Sequence, residues 1–459
     1  MKHVMASLKS GNWKALIACF LYFDTGFTAW VMFGPLAPFI SKQAALPPTK
    51  ASFLVAVPVL AASIVRVTLG NLFQSTDGRR LALMGIVLSA LPAVVLQLPI
   101  APSYTLLLVL GVFLGIGGAS FAIALPMAGS SYPPRVQGLV LGLAAAGNIG
   151  AVVDGFLFPN LAQHFGWQHA TAAVLPLLAV TAVAVFLWAE DSAAKSGSVL
   201  RAFGSFAISL IGLTALVLAV NAGVFGAGKT GLLLLPVLGF LLALATLPRR
   251  YVAVLAERDT WVVMLVYSIT FGGFVGMTSY VSLLLTTQYG LSKVDAGYCM
   301  AALSFTGAMV RPVGGWIADR LSGVKVLWVL LGLIACGNFG FAMFEPAVGG
   351  GIALLAVLYL SFGLGNGATF QLVPHRWKGR TGLMTGIIGA AGGIGGFYLP
   401  VVMGMARENT GSYQAGFVTF GLLAVLALLL VVVLHRQWLA WSSPAVSGFA
   451  LAADAAQSQ

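Results

Sequence analysis

Two arginines lie inside long apolar runs of this chain, Arg66 in the run 51–72 and Arg311 in the run 296–318. Their surroundings repeat, because each is followed by a glycine four residues later and by another glycine twelve residues later. An arginine at membrane depth costs about 2.5–3.5 kcal/mol, so it usually faces a cavity and has a function. Two such arginines, brought together by internal symmetry, predict a binding site for a small anion.

The composition indicates a protein that crosses a membrane many times. Of the 459 residues, 59% are hydrophobic and only 8% are charged, which is typical of an all-α polytopic membrane protein. The three cysteines stand at unrelated spacings, so neither a disulfide framework nor a metal site is expected. Fourteen apolar runs reach spanning length and predict fourteen membrane spans: 15–40, 51–72, 81–99, 105–127, 137–159, 171–189, 204–222, 231–248, 262–285, 296–318, 326–344, 352–373, 382–404 and 414–434.

The positive charges predict the orientation of the chain. With both termini in the cytoplasm, 17 of the 24 Lys and Arg residues lie inside, five lie outside and two are within the membrane. Short cytoplasmic loops normally carry the excess of Lys and Arg, so we expect this orientation, in the cytoplasmic membrane, with an even number of spans. Topology therefore explains the net charge of +12, and no nucleic-acid partner is predicted.

A repeat relates the first six apolar runs to the last six. Arg66 and Arg311 are 245 positions apart, and the same offset relates AAGNIG at 145–150 to AAGGIG at 390–395. GIGGASFAIALP at 115–126 and GLGNGATFQLVP at 363–374 also align, with small gaps. Such parallel repeats are typical of transporters with two pseudo-symmetric halves and a midplane site between them. The predicted units are an N-terminal six-helix half, a central insertion of two extra helices, a C-terminal six-helix half and a disordered cytoplasmic tail: 1–190, 191–258, 259–435 and 436–459.

These segments resemble a known family. The stretches GNLFQSTDGRR and GGWIADRLSGVK are similar to the loops after the second and eighth core helices of the major facilitator superfamily. With AWVMFGPLAPFI, AAAGNIG, GAAGGIGGF and YSITFGGF, they resemble the nitrate/nitrite porters, the NarK-like family. The resemblance covers both six-span halves and implies the major facilitator fold. It implies that Arg66 and Arg311 clamp the anion, and it places further substrate-binding residues at Phe121, Tyr267, Phe271, Asn148, Gly392 and Gly393.

The chemistry of two arginines suits a flat anion. Nitrate and nitrite are planar and monovalent, and a planar guanidinium offers them paired N–H donors, whereas lysine offers a compact point charge. The empty site carries about two positive charges and the occupied site about one. Because like charges at low dielectric repel, an empty carrier is expected to resist closing, which favours exchange of one anion for another.

Two acidic residues are candidates for proton coupling. Asp24 lies in the first apolar run, and an intramembrane carboxylate is a proton-coupling candidate by default. A static partner for an arginine, or a helix-end cap, is the alternative interpretation of Asp24. Asp154 in the fifth run is a weaker candidate that is expected near the outer surface.

The sequence thus predicts a secondary active transporter of nitrate and/or nitrite that works by alternating access as a monomer. Proton symport and nitrate/nitrite exchange both stay open, as do the direction of transport and the preferred anion. No cofactor and no enzymatic activity are expected, because no catalytic constellation is present. The alternatives are a fourteen-span drug/proton antiporter, disfavoured by the arginine pair, and a nutrient sensor on a transporter scaffold, disfavoured by the short C-terminal tail.

Overall fold

The computed structural model describes residues 11–133, 137–225, 229–377 and 380–441, and within these ranges the regular structure is helical. The N-terminal part contains α1 to α10: Trp13–Val31, Phe33–Gln43, Pro48–Phe73, Gly78–Val95, Tyr104–Ala119, Phe121–Ser130, Gln137–Ala145, Gly150–Phe165, Trp167–Ala170 and Val174–Trp188. The central part contains α11 to α13: Val199–Asn221, Thr230–Thr246 and Arg249–Ala253. The C-terminal part contains α14 to α20: Arg258–Tyr289, Lys293–Met309, Arg311–Leu321, Gly323–Phe344, Val348–Arg376, Thr381–Thr410 and Gln414–Trp441.

Eleven of the described helical segments are long and apolar enough to cross a membrane, against fourteen predicted spans. The three remaining runs are short or broken. Helix α12 has 17 residues. The run 137–159 is divided between α7 and α8 by a 3-10 turn, Ala146–Ile149, and the run 296–318 is divided between α15 and α16 at Val310. Pro312 follows that second break and supplies its physical reason, since proline has no amide hydrogen to continue the helical ladder.

The described chain ends lie on one face of the helix bundle, here called the terminal face. The Asn12 amide donates to the carbonyl of Ser131 (3.4 Å), and Arg258 Nη2 donates to Gln437 (3.5 Å). The opposite face is called the distal face. Each long helix therefore runs from one face to the other, as a spanning helix must.

The two halves are in contact on the distal side. The Tyr298 hydroxyl on α15 donates to Asn160 Oδ1 on α8 (3.1 Å). The Thr49 amide on α3 donates to Glu408 Oε2 on α19 (3.0 Å). Both bonds join the first six-helix half to the second, so the bundle is closed at its distal face.

Helix α14 approaches α19 closely at Gly272. A Cβ atom at this position would lie 2.7 Å from the Gly392 carbonyl oxygen and 2.7 Å from the Gly396 nitrogen. Only glycine permits this backbone approach, which is the use that membrane helix pairs make of small residues.

We expect Gly272→Ala to destabilise the protein by about 1–3 kcal/mol, because the added methyl group meets backbone atoms that have no rotamer to change. Thermal unfolding of the purified protein in detergent measures the effect. Gly332→Ala is the matched control, since nothing lies within 4 Å of its Cβ position and alanine is the better helix former. An unchanged midpoint for Gly272→Ala would contradict this account of the contact.

The central pair, α11 and α12, packs on the outside of the six-helix halves. Leu213, Val217 and Leu235 form an apolar cluster with residues of α3 and α5. The Tyr398 hydroxyl on α19 donates to the Leu233 carbonyl on α12 (2.7 Å), so the pair also touches the second half. The insertion therefore lies across the seam between the halves rather than within either of them.

The C-terminal boundary differs from the sequence prediction. Helix α20 continues to Trp441, beyond residue 435, where the C-terminal half was expected to end. The rest of the predicted tail, 442–459, lies outside the described residues.

Candidate functional site

Arg66 is held at the seam by two backbone carbonyls from different halves. Its side chain on α3 is buried, with 2% of its surface exposed. Nη2 donates to the Gly118 carbonyl of the first half (2.8 Å), and Nη1 donates to the Gly389 carbonyl of the second half (3.2 Å). Nε is buried and has no hydrogen-bond partner among the described residues. The Nε–H group of Arg66 is therefore an unused donor.

Arg311 is the first residue of α16, at the break in its span. Nη2 donates to the Tyr267 hydroxyl (3.4 Å), while Nη1 is buried without a partner in the described part of the chain. Among the described residues, neither Arg66 nor Arg311 pairs with a carboxylate. Both cations thus offer an unpaired donor and uncompensated charge, which is what an anion requires.

Phe271 brings the two arginines together. The guanidinium carbon of Arg66 lies 5.7 Å from the centroid of this ring, and that of Arg311 lies 5.9 Å from it. The Tyr267 ring stacks on Phe271 with centroids 5.1 Å apart and planes inclined by 6°. Because both guanidinium groups contact the Phe271 ring, cation–π attraction offsets part of the repulsion between them.

Each arginine also contacts an aromatic residue from its own half. The guanidinium of Arg66 lies 5.0 Å from the Phe121 centroid, and that of Arg311 lies 5.8 Å from the Phe370 centroid. Phe370 was not among the predicted site residues. The repeat could have predicted it, because GASF, which ends at Phe121, aligns with GATF, which ends at Phe370.

The two predicted glycines pack closely against different neighbours. A Cβ at Gly392 would be 2.6 Å from the Tyr267 ring and 2.9 Å from the Phe271 ring, so glycine leaves the space for both. Gly393 instead faces α3, where a Cβ would lie 2.7 Å from the Cβ of Ser63. These positions provide close packing around the arginine and aromatic residues.

Asn148 lies in the 3-10 turn that interrupts the fifth span. It is 2% exposed, and its Oδ1 has no hydrogen-bond partner within the described ranges. The flanking Gly147 and Gly150 lie against the first helix, and a Cβ at Gly147 would be 2.9 Å from the Asp24 nitrogen. The turn thus packs Gly147 and Gly150 against the backbone of Asp24, with the buried Asn148 between these glycines in sequence.

The two predicted acidic candidates lie in different environments. Asp24 is half-buried on α1, and its Oδ1 has no partner among the described residues. It forms no ion pair with Arg66 or Arg311 within the described ranges, so the interpretation as their static partner is not supported. Asp154 is fully buried on α8, in the part of its span that leads to the distal face, so the expectation that it lies toward the outer end of that span stays a prediction.

Comparison with known proteins identifies the family. The sequence model of the Major Facilitator Superfamily matches residues 17–400. The "Nitrite extrusion protein" of Bacillus subtilis (strain 168) is 30% identical, covering 96% of this chain and 95% of the relative. The chain belongs to the nitrate/nitrite porters of the Major Facilitator Superfamily.

Two further relatives support this placement. The "Probable nitrate/nitrite transporter NarK2" of Mycobacterium tuberculosis (strain CDC 1551 / Oshkosh) is 31% identical over 94% of this chain and 95% of its own length. The "Probable nitrate transporter NarT" of Staphylococcus epidermidis is 27% identical over 90% of this chain and 94% of its own length. The prediction of a multi-pass membrane transporter, and not an enzyme, is confirmed by these porters.

Solved structures confirm the fold. A POT family transporter crystallised with 5-aminolevulinic acid superposes with a TM-score of 0.69 at 14% identity, covering 93% of this chain and 97% of that one. A POT family transporter in complex with a thioalcohol-conjugated peptide superposes with a TM-score of 0.68 at 14% identity, covering 92% of this chain and 96% of that one. At this identity the likeness concerns the major facilitator fold alone.

Proposed function

We propose that this porter moves nitrate and/or nitrite across the cytoplasmic membrane, with the anion bound between Arg66 and Arg311. The observation that carries the proposal is the pair of guanidinium groups sharing the Phe271 ring, each with an unpaired N–H donor. The terminal face is the cytoplasmic one, since it carries the excess of Lys and Arg. The printed names of the relatives, which refer to nitrate and nitrite, support the same substrate class.

The geometry favours a planar monovalent anion over other solutes. Guanidinium groups donate in a plane, and the stacked rings of Tyr267 and Phe271 form a flat apolar wall that suits a weakly hydrated flat ion. A cationic drug would meet two positive charges, which opposes the alternative of a drug/proton antiporter. One monovalent anion neutralises half of the charge and leaves the loaded site easier to enclose.

Alternating access follows from the position of Arg66 at the seam. In this proposal the anion accepts from the unpaired Nε of Arg66 and Nη1 of Arg311, while Nη1 of Arg66 still donates to the Gly389 carbonyl of the opposite half. Substrate binding is therefore coupled to a contact between the halves. The Asn160–Tyr298 and Thr49–Glu408 bonds join the halves on the distal side, so in the proposed cycle the anion enters and leaves this conformation on the terminal side.

Uptake of labelled nitrate into proteoliposomes tests the proposal. One set of vesicles contains nitrite, and a second contains an inert anion and has an inward proton gradient. Uptake only against internal nitrite identifies an exchanger, whereas uptake driven by the proton gradient alone identifies a symporter. Absence of uptake in both sets, with protein shown to be folded, would refute the substrate assignment.

A further inference from the structure

The central pair, α11 and α12, is attached to the first half at the terminal face. In the linker before α11, the Ser196 amide donates to the Gln74 carbonyl (2.7 Å). In the same linker, Lys195 Nζ donates to the Phe73 carbonyl (2.9 Å). After α12, Arg250 Nη2 donates to the Gln74 side chain (2.5 Å). Both ends of the insertion are therefore held by the end of α3 and the residue that follows it.

The body of the pair also packs mainly on the first half. Leu213 on α11 belongs to an apolar cluster in which α3 and α5 contribute most of the other side chains, and α19 contributes Phe397 and Val401. On α12, a Cβ at Gly239 would lie 3.3 Å from the Ile64 side chain of α3. We therefore expect the pair to move with the first half.

The pair reaches the second half at α19, toward the distal face. Lys229, which immediately precedes α12, donates from Nζ to Asn409 Oδ1 (2.5 Å). The same Nζ lies 3.4 Å from Glu408 Oε1. Further along α19, the Tyr398 hydroxyl donates to the Leu233 carbonyl (2.7 Å). The distal tip of the pair is thus bound to the half opposite the one that holds its terminal ends.

Glu408 connects all three parts of the molecule. While its Oε1 faces Lys229, its Oε2 accepts from the Thr49 amide of the first half (3.0 Å). Thr49 lies in the first turn of α3, where amides have no acceptor within the helix and the helix dipole favours a carboxylate. The second half therefore caps a helix of the first half, and Lys229 holds the capping carboxylate in place.

We propose that the central pair is a distal clamp: it stays with the first half, and its Lys229 keeps Glu408 on Thr49 while the distal side is closed. Opening of the distal side moves α19 away from the first half, so the contacts of α19 with Lys229 and Leu233 must break. The clamp stabilises the distal-closed conformation and sets how often the distal side opens. Lys229 is a positioning residue, since it acts through Glu408.

The consequence for transport rests on the proposed function, but the clamp itself is a property of the protein without substrate. Ser279 on α14 is a suitable reporter of distal opening. Its side chain is 2% exposed, and it lies where the halves meet, since a Cβ at Gly34 of α2 would be 3.1 Å from the Ser279 carbonyl oxygen. A thiol at this position is therefore shielded in the distal-closed conformation.

The first experiment measures alkylation of Ser279→Cys by a maleimide, in lipid nanodiscs without nitrate and with the native cysteines replaced by serine. Because the reagent reaches the thiol through the open state, the rate follows the ratio of open to closed protein, even when the open state is rare. A change in this rate therefore measures a change in the stability of the closed distal side.

Lys229→Met keeps the apolar stem of the side chain and removes its charge. We expect it to raise the alkylation rate by about three- to fivefold, since an exposed ion pair contributes a modest free energy. Lys50→Met is the matched control, because Lys50 contacts the Tyr104 ring of its own half (5.4 Å), and its rate should be that of the native sequence. An unchanged rate in Lys229→Met, or an equal rise in Lys50→Met, would overturn the clamp.

A double variant tests whether Lys229 acts through Glu408. Glu408→Gln alone should raise the alkylation rate at least as much as Lys229→Met does. Adding Lys229→Met to Glu408→Gln should then raise the rate no further, because the two residues share one interaction. Effects that multiply in the double variant would overturn this positioning role.

Transport supplies the second readout, through a matched pair of cross-links. A short reagent that a thiol cleaves joins Lys229→Cys to Asn409→Cys and so fixes the pair to the second half. The control link joins Asn221→Cys to Thr105→Cys within the first half and the pair, where the native side chains are hydrogen-bonded (3.3 Å). The first link should stop nitrate uptake until it is cleaved, and the second should leave uptake unchanged.

The two readouts separate the clamp from the substrate assignment. Nitrate uptake that survives the link between Lys229→Cys and Asn409→Cys would overturn the required release of α19. If the unlinked protein carries no nitrate, the proposed function fails, while the alkylation rates still decide the clamp.

Discussion

Replacing Arg66 by lysine is expected to reduce nitrate uptake at low nitrate concentration by about 100-fold, although the positive charge is kept. Hydrogen bonds to charged groups contribute about 1.5–3 kcal/mol each, and 2.7 kcal/mol corresponds to this factor. The guanidinium bonds two carbonyls, of Gly118 and Gly389, and still presents Nε to the site. The shorter ammonium group of lysine lacks this planar fork.

Initial rates in proteoliposomes, normalised to the amount of inserted protein, measure the effect. Nitrate-dependent thermal stabilisation in detergent provides a second readout, because a ligand present at 100 times its Kd stabilises the folded state by about 2.7 kcal/mol. Arg66→Lys should lose this stabilisation. Arg320→Lys, an exposed substitution on the helix of Arg311, is the control and should behave as the native protein. If Arg66→Lys took up nitrate at the rate of the native protein, Arg66 would not be part of the anion-binding site.

Phe271→Leu is expected to raise the nitrate concentration for half-maximal uptake by about tenfold or more. The substitution keeps an apolar side chain but removes the ring that both guanidinium groups contact at 5.7 and 5.9 Å. A desolvated cation–π contact contributes about 2 kcal/mol, so loss of the ring weakens the placement of both cations. The concentration dependence of initial uptake rates measures the change.

The matched control for the aromatic residue is Phe341→Leu. Phe341 is also buried in the second half and also belongs to a stacked pair, with its centroid 4.2 Å from that of Phe417. Loss of stacking alone would affect both variants equally. An effect confined to Phe271→Leu assigns the role to contact with the arginines, whereas equal loss in both variants would show only a packing defect.

Hydropathy predicted where most spanning helices lie, but not where a span is broken. The apolar run 262–285 corresponds to α14, which extends at both ends as Arg258–Tyr289 because helix ends in a membrane protein are polar. The breaks at Ala146–Ile149 and at Val310 were not predicted. An apolar run has the same hydropathy whether its helix is continuous or interrupted, and packing between helices decides where the interruption falls.

The sequence predicted the side chains of the candidate site, but not the backbone groups that hold them. The repeat predicted that Arg66 and Arg311 form one site, and the structure places both on the Phe271 ring. The carbonyls of Gly118 and Gly389 were missed, because a backbone acceptor can belong to any residue type. The burial of Asp154 was not predicted, because hydropathy does not show which face of a span packs against other helices.

The sharing of Phe271 between two arginines has a consequence for how the halves move. Under the 245-residue offset of the repeat, Tyr267 corresponds to Tyr22, but Phe271 corresponds to Gly26. The first half therefore has no ring at the equivalent place, and the symmetry of the arginines does not extend to the aromatic residue between them. When the halves rotate as rigid bodies, Arg311 and Phe271 stay together and Arg66 changes its distance from both. In the proposed mechanism, two residues that the repeat makes equivalent are therefore a stationary and a moving partner of the same anion.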